Sequence, residues 1–290
     1  MAAAENGSRI VLGPNQYGKA ECRLLKVTRD TARHAIEDLN VTSQLRGDFA
    51  ACHTEGDNSR VVATDTQKNT VYAFARDGVG SPEELLLRLG RHFVGEFEWV
   101  DGGRWAAEQY GWERIADGDH SFVRTGRETR TAVVEMDGAD VAVSAGLKDC
   151  TVLKSTGSEF HGFPRDRYTT LEETDDRILA TSVTASWRYS SAELDVTGLD
   201  FNGLYDGVRD LLLSTFADVH SLALQQTIFE MGKAVLERYD EVAEISLSCP
   251  NKHHFLVDLE PFGLDNPGEV FFAADRPYGL IEATVQREGA

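Results

Sequence analysis

The chain has 290 residues, 41% of them hydrophobic, and a net charge of -19 from 48 acidic and 29 basic residues. That is enough apolar content for one large domain or two ordinary ones, and the acidic surface excludes nucleic acid and anionic membranes as expected partners while leaving room for a local arginine to bind a small anion. No apolar run approaches the roughly 20 residues of a membrane helix, and the dispersed Cys22, Cys52, Cys150 and Cys249 form no CxxC pair, so they read as reduced thiols of a cytoplasmic protein.

Residues 1–14 read as a flexible lead-in, because Met1 to Ser8 has neither the basic nor the apolar region of a signal peptide. Tyr17-Gly18-Lys19 follows, where the glycine permits close backbone approach. Leu39, Val41, Ser43 and Leu45 alternate with polar residues and predict a strand with one packed face. The sequon Asn40-Val41-Thr42 lies within it and reads as a coincidence. In Val62-Ala63-Thr64-Asp65, Thr64 reads as closing a strand and Asp65 as a turn residue bonding its own backbone. Gly78-Val79-Gly80 lacks the strand context of a dinucleotide site and reads as a loop. Ser81-Pro82-Glu83-Glu84 then opens a helix, with Ser81 as cap, Pro82 in the first turn and Glu84 closing a capping box. Its apolar stripe is Leu85, Leu89, Phe93 and Phe97.

The second half rhymes with the first. Leu147 to Lys154 resembles Gly18 to Lys26, which places a boundary near residue 146 and predicts two units, 15–146 and 147–290. Val183, Ala185, Trp187 and Tyr189 alternate as a strand. Helices are predicted from about Phe201 to Phe216 and from about Gln225 to Tyr239, with Val219-His220-Ser221 in the break between them. Ile245, Leu247 and Cys249 form a strand that Pro250 ends, and Ile281, Ala283 and Val285 form the last one. Three helices among alternating strands predict an α+β fold, antiparallel sheets with helices on one face.

Several residues could carry chemistry. A desolvated lysine can take a proton from a threonine hydroxyl, which would pair Lys19 with Thr64. His253 can move a proton near neutral pH, and Asn251 can both donate to and accept from a small ligand. Adjacent His253 and His254 point to opposite faces of a strand, so no zinc pair is expected there. Phe160 could stack on a planar ring, and Arg177 could present two parallel donors to an anionic edge. Gln225 could offer an amide to another edge. Taken singly, these have plainer readings: a surface lysine, a strand-end threonine, a core phenylalanine, a surface ion pair and a solvated cap.

As an ordered set the motifs say more. Tyr17-Gly18-Lys19, Val62-Ala63-Thr64-Asp65, Gly146-Leu147-Lys148-Asp149, Thr151 to Thr156 and Pro250-Asn251-Lys252-His253-His254-Phe255 resemble those of the cofactor-independent urate oxidases, the uricases, and the likeness runs from about Tyr17 to Val285. The resemblance implies two tandem tunnelling-fold (T-fold) units, whose sheets pair between subunits into a barrel and stack as a homotetramer. It implies oxidation of urate by O2 and water to 5-hydroxyisourate and hydrogen peroxide, with no metal, flavin or haem. It further implies Lys19, Thr64 and His253 as catalytic residues, and Thr64, Asp65, Phe160, Arg177, Leu224, Gln225 and Asn251 as the urate and oxygen contacts. Leu224 stands where many relatives have valine. The lysine–threonine side would come from one subunit and the arginine–glutamine–phenylalanine–asparagine side from its neighbour. A chain ending Arg287-Glu288-Gly289-Ala290, without a Ser-Lys-Leu address, fits a cytoplasmic location. The alternatives are another T-fold purine or pterin enzyme of the cyclohydrolase kind, or a non-catalytic purine-binding protein.

Overall fold

Leu39, Val41, Ser43 and Leu45, the inward set of the first alternating run, are all completely buried. The computed structural model, which describes residues 10–190, 198–274 and 276–288, repeats this pattern across a large sheet. Part of the lead-in, residues 1–9, lies outside the described residues. The chain runs β1 (Tyr17–Thr28), β2 (Ala35–Gly47), α1 (Ala50–Thr54), α2 (Thr64–Arg76), α3 (Pro82–Glu96) and β3 (Val100–Tyr110). A short hairpin, β4 (Trp112–Arg114) and β5 (Phe122–Arg124), precedes β6 (Thr129–Asp137), β7 (Asp140–Lys154) and β8 (Leu179–Tyr189). Then come α4 (Phe201–Asp218), α5 (Leu224–Arg238), β9 (Val242–Asn251), a second short hairpin β10 (His254–Leu256) and β11 (Phe271–Ala273), and β12 (Gly279–Gln286).

Eight strands form one antiparallel sheet in the order β1-β2-β3-β6-β7-β8-β9-β12. Its first four strands come as a pair, three helices and a second pair, and its last four as a pair, two helices and a second pair. The halves match in detail. The β1–β2 register slips between Lys19 and Cys22, and the β7–β8 register slips between Leu147 and Cys150. Each slip holds one acidic residue in the left-handed region, Glu21 at φ 55 and Asp149 at φ 63. Lys26 and Lys154 reach the C-terminal carbonyls of α2 and α4 respectively, where a cation is favoured. The expected division at residue 146 falls inside β7, which is continuous through it. The element order instead repeats about the β6–β7 turn at Gly138, whose φ of 57 suits glycine.

The helices cover one face. Leu85, Leu89 and Phe93 of α3 and Ile228, Met231 and Val235 of α5 are buried against it, each side chain contributing about 1.5–3 kcal/mol by burial. The capping box is present, with Glu84 N–H donating to Ser81 Oγ at 3.1 Å and Ser81 N–H donating to Glu84 Oε2 at 2.6 Å. The opposite face is polar: Lys148 Nζ donates to Glu108 Oε1 at 2.6 Å, and Ser246 Oγ lies 2.7 Å from Thr284 Oγ1. An antiparallel sheet accommodates one packed and one wet face. Among the described residues, β1 and β12 each have one neighbour and present free edges.

Two local expectations fail. Helices α1 and α2 join the three predicted, and Thr64 therefore starts a helix instead of closing a strand. Pro250 does not end its strand: β9 continues to Asn251, and Pro250 stays paired with Leu280 of β12. Pairing with β8 lapses opposite it, between Ser248 and Asn251, where a residue without an N–H can sit in a ladder.

Candidate active site

Two clusters hold the residues singled out from the sequence. The first forms around Lys19. A Cβ on Gly18 would lie 1.8 Å from the Ser43 carbonyl oxygen, so only glycine lets β1 come this close to β2 just before the lysine. Lys19 is half-buried and sits opposite Ser43. Tyr17 Oη donates to the Val62 carbonyl at 3.2 Å and ties β1 to the segment leading into α2. Thr64 is the first residue of that helix, and its N-cap, Ala63, supplies no side-chain bond. Amides of the first turn thus face outward unpaired by a cap, an arrangement that favours an anion. Asp65 is exposed, and its carboxylate is held below the usual range chiefly by its hydrogen bond from Lys68, with Lys19 a further positive neighbour.

Reasoning from the sequence missed two residues here. Ser43 and Gln67 are completely buried, and Ser43 Oγ donates to Gln67 Oε1 at 3.0 Å. The available signal was the spacing Gln67, Val71, Ala75, the buried stripe of α2.

The second cluster gathers at the ends of β8 and β9. Phe160 pairs with Thr174 through both backbone bonds, 2.9 and 3.2 Å. Arg177 N–H donates to the Ser158 carbonyl at 2.8 Å, and its Nε donates to Ser158 Oγ at 3.3 Å. The guanidinium carbon then lies 5.0 Å from the Phe160 ring centroid. Burial pushes the Arg177 pKa down. Phe163 stacks on Phe160 at 5.0 Å and 12°. The segment is bound to the entrance of α5: Glu159 N–H donates to the Ser221 carbonyl at 2.8 Å, and Ser221 N–H to the Gly157 carbonyl at 2.9 Å. Thr227 Oγ1 donates to buried Ser221 Oγ at 2.8 Å and fixes that turn. Leu224, buried, and Gln225, exposed, begin α5. Its N-cap Ala223 makes no side-chain cap, unlike Ser81 of α3 and Asp200 of α4.

Asn251 closes β9 opposite Thr181, four residues beyond Arg177, and Lys252 N–H donates to the Ala180 carbonyl at 2.8 Å. His253 stacks on Phe255 at 5.9 Å, while His254 Nδ1 lies 3.0 Å from the Lys252 carbonyl. Phe160, Arg177, Leu224, Gln225, Asn251 and His253 thus share one end of the second half.

The two clusters lie apart within one chain. Strand β1 is five strand spacings from β8, roughly 24 Å along the sheet. Among the described residues, Cys22, Cys150 and Cys249 are buried free thiols and Cys52 is half-buried. No described helix is long and apolar enough to cross a membrane.

The uricase family model matches residues 15–135 and 143–282. The uricase of Arthrobacter globiformis is 67% identical over all of this chain and 94% of its own length, and that of Cyberlindnera jadinii is 38% identical over 96% of this chain and 97% of its own. The crystal structure of the A. globiformis uricase superposes with a TM-score of 0.93, covering 98% of this chain and 97% of that one. A uricase structure from Bacillus fastidious, 26% identical, gives 0.81 over 97% and 95%.

Proposed function

This chain belongs to the uricase family, and we propose that its two residue clusters meet across a subunit boundary to form a urate-oxidising site. The enzyme oxidises urate: urate, O2 and water give 5-hydroxyisourate and hydrogen peroxide. Family membership sets aside the cyclohydrolase-like alternative. The observation that carries the site is Arg177 poised over Phe160 beside the uncapped start of α5.

In this reading Arg177 gives two parallel charge-assisted bonds to one edge of the urate anion. Gln225 and the Leu224 N–H hold another edge, and Phe160 stacks against the ring. Thr64 and Asp65 approach from the neighbouring subunit, bringing the open N-terminus of α2 to the anion. Lys19 and Thr64 relay a proton off the ring, leaving an electron-rich dianion that passes electrons to O2. Asn251 holds oxygen and then water above the ring, and His253 moves the protons that complete peroxide and the added hydroxyl. The chain's contribution is placement and proton transfer.

The free β1 and β12 edges support assembly into a closed barrel and then a homotetramer. So do the exposed apolar side chains of Phe255, Leu256, Phe262, Phe272, Tyr278 and Leu280, close in sequence to the second hairpin and the β12 edge. Four free cysteines suit a cytoplasmic setting.

The test is urate's ultraviolet absorbance with purified protein in air and under argon. The reading expects loss of absorbance only in air, with one peroxide per urate consumed. Binding without loss would make this a purine-binding module, and equal loss under argon would rule out O2 as the oxidant.

A further inference from the structure

Phe160 and Thr174 form a single antiparallel bridge between two extended segments. Side chains alternate along such a ribbon. Glu159 and His161 therefore share the face opposite Phe160, and Glu173 and Asp175 share the face opposite Thr174, which is the same one. The contacts agree. His161 Nε2 lies 3.1 Å from Asp175 Oδ1 and 3.6 Å from Glu159 Oε2, and His161 Nδ1 lies 3.7 Å from Glu173 Oε2. One donor atom each from Glu159, His161 and Asp175 falls within a 4.8 Å group. On the far side of Glu159, His220 Nε2 lies 3.1 Å from Oε1.

We infer that Glu159, His161 and Asp175 form a binding site for one divalent cation of the zinc class, on the ribbon face that Phe160 does not use. A tetrahedral zinc ion with arms of about 2.0–2.2 Å holds its donors roughly 3.3–3.6 Å apart; His161 Nε2 lies 3.1 and 3.6 Å from the two carboxylate oxygens, and all three donor atoms lie within 4.8 Å of one another. The imidazole selects zinc, cobalt or nickel over calcium and magnesium, which prefer all-oxygen sites. Three carboxylates crowd one imidazole beside a clamp for an anionic ring. Like charges facing each other across strands repel, and a bound dication converts that repulsion into attraction. His220 occupies the second carboxylate oxygen of Glu159 and orients the other inward, as outer-shell partners of metal ligands do. Occupancy would tie 157–161 to 173–177 and so hold Phe160 and Arg177 in register. The cation would touch no reacting atom, and its binding does not depend on what Phe160 binds.

The experiment is calorimetric titration of zinc chloride into chelator-washed, untagged full-length protein. We expect saturable binding of one zinc per chain, at least tenfold weaker in both His161→Ala and Asp175→Asn. His34→Ala, altered beside the distant His120 ring, should bind like the parent. Zinc should also raise the melting temperature of the parent and of His34→Ala, but not of the two site variants. Asp175 is almost fully exposed, so Asp175→Asn should fold even if His161→Ala does not. Absence of saturable binding at millimolar zinc, or parent-like affinity in Asp175→Asn, would overturn the site and leave the ribbon held by histidine–carboxylate pairs alone.

Discussion

Ser43 and Gln67 join the strand beside Lys19 to the helix that Thr64 begins. Ser43 sits opposite Lys19 in the β1–β2 ladder, and its hydroxyl is bonded to the Gln67 side chain one turn into the helix that Thr64 begins. Gln67 Nε2 also lies 3.5 Å from the Val62 carbonyl, two residues before Thr64. This buried amide ties β2, the strand paired with the lysine's, to the threonine's helix. Gln67→Leu would keep the volume but leave the Ser43 hydroxyl buried and unpaired, costing about 1–3 kcal/mol. We expect a melting temperature lower by several degrees and a kcat reduced by more than KM is changed, measured by calorimetry and steady-state urate kinetics. Unaltered kcat in the folded variant would show that the pair is structural only.

Lys19 and Thr64 should behave as one unit. Lys19→Ala and Thr64→Ala should each depress kcat strongly, and the double variant should be little worse than the poorer single one. The check is a double-mutant cycle in kcat, and multiplicative losses would mean independent roles.

Arg177 depends on the planarity of its fork. Its Nε is committed to Ser158 Oγ, which leaves the two terminal nitrogens for the ring anion. A lysine supplies one ammonium and loses about one charge-assisted bond of ~1.5–3 kcal/mol. Arg177→Lys should therefore weaken urate binding about tenfold or more with the melting temperature nearly unchanged. Equilibrium titration with a non-oxidisable purine analogue measures this directly, and parent-like affinity would place Arg177 outside the site.

The cysteines give a test of the fold itself. Burial pushes the Cys249 thiol up to about 12 and raises Cys22 and Cys150 as well. Near pH 8 Cys249 is then only about one part in ten thousand thiolate, the form that reacts. Iodoacetamide should label Cys52 first in native protein and all four thiols after denaturation, as read by peptide mass spectrometry. Early labelling of Cys249 would contradict its placement between β8 and β12.

Much of this fold is legible in residue order, because burial there follows residue type. The alternations of β2, β8 and β9 and the Ser81 capping box are all realised, and so is the α3 stripe at Leu85, Leu89 and Phe93. Helix α2 was illegible for a physical reason. Its inward stripe is Gln67, Val71 and Ala75, one polar and one small among three, and its cap Ala63 carries no cap chemistry. The same bare cap leaves the helix end open to a ligand, so the missing signal and the proposed role share a cause. The likeness of Lys19 to Lys148 is offset by one residue: the register slips align Leu147, not Lys148, with Lys19. The candidate site residues could be chosen by motif order alone. Which of them sit together could not, since Lys19 beside Ser43 and Asn251 beside Thr181 are facts of strand register.

A site shared between subunits is the central claim, and complementation tests it most directly. Lys19→Ala and Arg177→Ala chains, each inactive alone, should be co-expressed with different tags and purified through both tags in turn. In such hybrids an intact Lys19 from one chain can face an intact Arg177 from the other. The account predicts that the doubly purified material oxidises urate measurably and elutes as a tetramer. Hybrids that co-purify yet remain as inactive as their parents would contradict it and require each site to lie within a single chain.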